Sequence, residues 1–87
     1  MKNEQADAPT YEIVADDVSV WSASHRPTQD EIDRTAIYAG GRGWNGTTLD
    51  LHCDGFFREW LYPSEAALSA ATVEEYYETL DSRPVED

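Results

Sequence analysis

The chain has 87 residues, 18 of them acidic and 6 basic, for a formal net charge of −12 at neutral pH. That balance argues against direct binding of nucleic acid, which needs Lys and Arg to neutralise phosphates, and against adsorption to an anionic membrane. At 40% hydrophobic and 11% aromatic, with a lone cysteine, it describes one small folded domain with no internal disulfide.

Residues 1–9 are polar and are expected to be a flexible lead, followed by a single domain over 10–81 and a flexible tail over 82–87. The N-terminus lacks an apolar h-region, so a cytoplasmic protein is expected, in the host cytoplasm if viral. "YEIVADDVSVW" carries apolar positions on both sides of Asp16 and Asp17. It predicts two short strands around an Asp turn, or one strand with a bulge.

In "TQDEIDRTAIYAGG", Thr28 and Glu31 have capping-box spacing, and Ile32, Ala36 and Ala39 fall at i, i+4 and i+7. Thr35, Ile37 and Ala39 also alternate as in a strand, so a short helix near 29–39 and a strand compete. If the helix wins, Gly40 sits just past its end. The run "YAGGRGWNGTTLDL" holds four glycines but no Lys-Ser/Thr opening a helix, which excludes a phosphate-binding loop of the P-loop kind. Asn45-Gly46 instead predicts a hairpin turn, because both central residues of such a turn take positive φ.

"TTLDLHC" predicts a strand with Leu49, Leu51 and Cys53 on one face and Asp50 and His52 on the other. Asp54-Gly55 then turns the chain into "FFREWLY". A three-residue loop, Cys53-Asp54-Gly55, would set Asp50 opposite Arg58; a two-residue loop would set it against Glu59. The charge argument selects the three-residue loop. Pro63 ends the strand and Ser64 caps a helix. Thr72 and Glu75 form a second capping box before Val73, Tyr76, Tyr77 and Leu80. The fold class expected is α+β: a small antiparallel sheet of three or four strands, with hairpins at Asn45-Gly46 and Asp54-Gly55 and a C-terminal helical segment packed on one face.

His52, Cys53 and Asp54 all have metal-ligating side chains, yet alternation along a strand would put His52 and Asp54 on one face and Cys53 on the other. Even with His25 added, no paired metal-binding spacing exists, so neither a metal nor a cofactor nor catalysis is expected here.

The charge distribution says more. From Ser64 onward the chain carries seven acids against Arg83 alone. Glu74, Glu75, Glu78 and Asp81 fall largely away from the apolar stripe, as an outward row that can imitate phosphates. Asp16 and Asp17, and Asp30, Glu31 and Asp33, could extend it. Arg42 and Trp44 form an arginine–aromatic pair of the type enriched at interfaces, although Trp44 could equally fold back as a lid on the core.

These features describe a small acidic, non-enzymatic binding protein, monomer or homodimer, engaging a basic nucleic-acid-binding surface such as a nuclease or CRISPR effector. By analogy of size and charge, that is an inhibitor or antagonist of phage or plasmid type: a DNA mimic, anti-CRISPR-like or anti-restriction-like. The alternative is an accessory domain of a halophilic archaeon or its virus, acidic for solubility in high salt.

Overall fold

In the computed structural model, which describes residues 8–81, the order is β1 (Tyr11–Ala15), β2 (Val18–Ala23), α1 (Gln29–Gly41), β3 (Leu49–Cys53), β4 (Phe56–Leu61), α2 (Glu65–Ser69) and α3 (Val73–Asp81). Most of the expected lead and all of the expected tail lie outside the described residues. The fold is α+β, with a four-stranded antiparallel sheet in the order β2-β1-β3-β4. β2 and β3 flank β1, so α1 joins them by a crossover in a split β-α-β arrangement.

Both readings of the first segment hold together. Asp16 and Asp17 take φ of 52° and 68° in a two-residue hairpin turn, the left-handed pair that matches strand twist. The register then shifts between Ile13 and Val14, leaving Val20 as the extra residue of a bulge.

The helical reading of 29–39 prevails and extends to Gly41. Thr28 Oγ1 accepts from the Glu31 amide while Glu31 accepts from the Thr28 amide at 2.9 Å, closing the box. The end falls later than Gly40 because Gly43, at φ +107°, takes the left-handed position. Trp44 N–H donates to Ala39 O and Gly43 N–H to Gly40 O, the paired bonds of a Schellman motif.

This ending removes the expected Asn45-Gly46 hairpin, since a helix, α1, and not a strand leads into those residues. Gly46 has no positive φ; it is close instead to the Trp44 indole, where a Cβ would come within 3.0 Å of Nε1. The local turn signal lost to a helix stop three residues earlier.

The Asp54-Gly55 turn is present, but as a two-residue loop, with Asp54 at φ 54° and Gly55 at φ 86°. Cys53 pairs with Phe56, so the expected three-residue loop does not form. The feared Asp50–Glu59 opposition is avoided another way. A bulge leaves Arg58 without a partner in the register and shifts Asp50 opposite Trp60.

The main core lies between α1 and one face of the sheet. Ile13, Leu49 and Leu51 are fully buried there, with Ala15, Leu61, Ile32, Ala36 and Ala39 around them. Burying each large aliphatic side chain contributes about 1.5–3 kcal/mol. A second, smaller core joins Ile37 of α1 to Ala67 of α2 and Tyr76 of α3. The C-terminal helices therefore rest on α1, the helix that covers the sheet.

Candidate binding surfaces

Asp33, expected on an outward acidic row, is 2% exposed and sits where the three helices meet. Its Oδ1 accepts from Gln29 Nε2 at 3.0 Å and the Ser64 amide at 2.8 Å. Its Oδ2 accepts from Ser64 Oγ at 2.9 Å and Tyr76 OH at 2.8 Å. Four donors fill the acceptor capacity of a carboxylate. Ser64 Oγ in turn accepts from Ala67 N–H and caps α2, so one acid ties α1 to both later helices. Burial first, and then the bond to Asp33, push the Tyr76 phenol from 10.0 up to about 12. This is a sealed structural node.

The other acids divide into engaged and unengaged. Asp30 pairs with Arg34 at 3.0 Å and accepts from Tyr77 OH. Glu31 serves the α1 cap and lies 3.1 Å from His25 Nε2; the bond from the Thr28 backbone, chiefly, holds its carboxyl below the usual range. Glu75 is also a cap: its amide donates to Thr72 Oγ1, while its carboxylate accepts from Ala71 N–H at 2.6 Å, one residue earlier than an ideal box. Glu74 and Glu78 are exposed, as are Asp16 and Asp17 at the hairpin tip, and none of these four bonds to another side chain among the described residues. Asp81 is the last residue of α3.

Asp16, Arg42 and Trp44 are brought together, lining a hollow of about 140 Å³ at the C-terminal end of α1. α3 packs along α1, with Tyr76 meeting Asp33 and Tyr77 meeting Asp30, and twelve residues of helix, about 18 Å, separate Asp30 from Arg42. Of the residues lining the hollow, Arg42 lies over the Tyr38 ring at 5.6 Å, and Trp44 packs, partly buried, against the main core as its lid.

His52 and Cys53 face opposite sides of β3, as alternation requires, but Asp54 does not share the His52 face. Lying in the turn, its carboxylate accepts from Thr10 N–H at 3.0 Å and approaches Cys53 Sγ at 3.9 Å. His25 is engaged with Glu31 and packs edge-on against Trp21, apart from this group.

A further surface escaped the sequence reading. The sheet face opposite α1 is uncovered by any described element and carries two cross-strand rows: Ser22, Glu12, His52 and Phe57, then Ser19, Val14, Asp50 and Trp60. Phe57 is 46% and Trp60 59% exposed. Their ring centroids lie 5.3 Å apart, and His52 meets Phe57 edge-on at 6.0 Å. Strict alternation would put Phe57 and Trp60 on opposite faces; the Arg58 bulge puts them on one. Bulges of this kind carry little signal in a single sequence.

No helix among the described residues is long and apolar enough to cross a membrane. No known family model matches the chain, and neither a curated protein nor a solved structure shows significant similarity to it.

Proposed function

We propose that this domain is a non-enzymatic binder of a cationic protein surface, of the kind that normally grips nucleic acid, and that it acts as an antagonist of that protein. The observation that carries the proposal is the uneven pairing of charge. Of the described arginines, Arg26 is held by Glu59, Arg34 by Asp30 and Arg42 by the Tyr38 ring, leaving Arg58, while four acids, Glu74, Glu78, Asp16 and Asp17, have no base beside them among the described residues. The negative field of the surface is thus uncompensated, and a cationic partner would relieve it. Inhibition of phage or plasmid type, by mimicry of DNA against a nuclease or CRISPR effector, is the concrete form of this reading.

The test is capture from the source organism's lysate at low and high salt, followed by competition with duplex DNA for the captured protein. Glu74→Gln with Glu78→Gln removes two charges and leaves the Glu75 cap in place. The parent should displace DNA, the double variant should do so more weakly, and added salt should weaken the parent more. A domain that folds only in molar salt would assign the acidity to solvation in a salt-rich cytoplasm instead.

A further inference from the structure

The uncovered sheet face places an aromatic ring and a carboxylate side by side. Trp60 and Asp50 are direct partners in the β3–β4 register, which brings their Cβ atoms to about 4.5–5.5 Å. Contact with Phe57 restricts how the exposed Trp60 ring can turn. Among the described residues the two rows hold two acids, Glu12 and Asp50, and neither Lys nor Arg. Arg58, the base of β4, is the extra residue of the bulge and lies outside both rows.

We infer that this face binds an arginine-bearing segment of a partner protein, with the guanidinium stacked on Trp60 and paired with Asp50. A planar guanidinium satisfies both groups at once, since it stacks on aromatic faces and forks onto carboxylates; a lysine ammonium does this less well. A second copy of the chain fits poorly, because stacking two such faces would oppose Glu12 and Asp50 with their twins in molecules of charge −12. Single-stranded nucleic acid also stacks on sheet aromatics, but it needs a basic groove that this face lacks. The bulge interrupts the outer edge of β4, so the face, and not strand addition, supplies the contact. The inference takes the sign of the partner's charge from the proposed function and nothing else; its residues are separate from Glu74 and Glu78.

The experiment is titration of isotope-labelled protein at physiological salt, which screens the distant acids, with a short peptide of alternating arginine and threonine. Lysine and glutamate counterparts serve as comparison probes. The Trp60 indole and the amides of Asp50 and Phe57 should shift with the arginine peptide, less with lysine and not with glutamate. Trp60→Ala should weaken binding about tenfold and Trp60→Phe less, while Asp50→Asn should weaken it about three- to fivefold. Arg58→Gln should raise affinity by removing a like charge. The Glu74→Gln, Glu78→Gln variant should stay within about twofold of the parent.

Undiminished binding by Trp60→Ala, or equal affinity for the arginine and lysine peptides, would overturn the inference. So would concentration-dependent shifts without peptide that Trp60→Ala abolishes, which would assign the face to a second copy, or tighter binding of a single-stranded oligonucleotide. The two readings fail separately. Loss of peptide binding in Glu74→Gln, Glu78→Gln alone sinks the sheet site and spares the helix row; a captured cationic protein that responds to Trp60→Ala alone does the reverse.

Discussion

Replacing Asp33 with Ala removes a carboxylate that holds four donors from three elements. One of those donors retains another bond, since Gln29 Nε2 still reaches Tyr62 O at 3.1 Å. Ser64 Oγ still accepts from Ala67 N–H, but its own proton, the Ser64 N–H and the hydroxyl of Tyr76, a residue 5% exposed, lose their acceptor. Each buried donor so orphaned costs about 1–3 kcal/mol, partly offset because a buried charge has also gone. A net loss of about 3 kcal/mol follows, against a total stability of about 4–13 kcal/mol for a chain of this length. The melting temperature should fall by about 12–24 °C.

Asp33→Asn separates the hydrogen-bond account from a general intolerance of the site. An Asn Oδ1 facing the Gln29 amide and the Ser64 N–H leaves Nδ2 facing two hydroxyls, and hydroxyls can reverse from donor to acceptor. The cost should then be about 1 kcal/mol. Thermal unfolding followed by far-UV circular dichroism measures both variants. The reasoning is refuted if Asp33→Asn is as damaging as Asp33→Ala, or if Asp33→Ala shifts the midpoint by only a few degrees.

Three further outcomes are expected. The folded Tyr76 phenol holds its proton up to about pH 12 against 10.0 unperturbed, so its contribution is complete below pH 10 and is lost as pH rises through that window; Tyr76→Phe should flatten the decline in an alkaline unfolding series. Gly43→Ala should cost about 1–2 kcal/mol from backbone strain at φ +107° alone, because open space awaits the Cβ, and chemical denaturation would show it as a lower midpoint at unchanged slope. The Glu74→Gln, Glu78→Gln domain should melt no lower than the parent, since both carboxylates are exposed and repel their neighbours; a clear loss of stability would mean that they hold the fold.

Sequence alone determined the features that depend on neighbours a few residues apart. The Thr28–Glu31 box, the Asp16-Asp17 and Asp54-Gly55 turns, the alternation of Leu49, Leu51 and Cys53 and the Ser64 cap are all short-range patterns, and the structure contains each of them. Net charge is likewise a property of composition. Where two local signals competed, tertiary packing chose. Ile32, Ala36 and Ala39 bury against the sheet as a helix, which carried α1 through Gly40 to a stop at Gly43 and left Asn45-Gly46 in a loop. Burying that apolar face outweighs an isolated turn preference of a kcal/mol or so.

The remaining features needed the third dimension. Asp33 looked like one more surface acid because its donors lie up to 43 residues away, and no pattern along the chain announces them. The Arg58 bulge decided which face each aromatic of β4 would take, since a single extra residue reverses alternation for everything beyond it. Phe57 and Trp60 therefore lie together on the uncovered side, while Leu61 is turned into the core. The amount of negative charge was legible in the residues; which of the described acids stayed exposed and unengaged was settled when folding assigned Asp33, Glu31 and Glu75 to the interior and the caps.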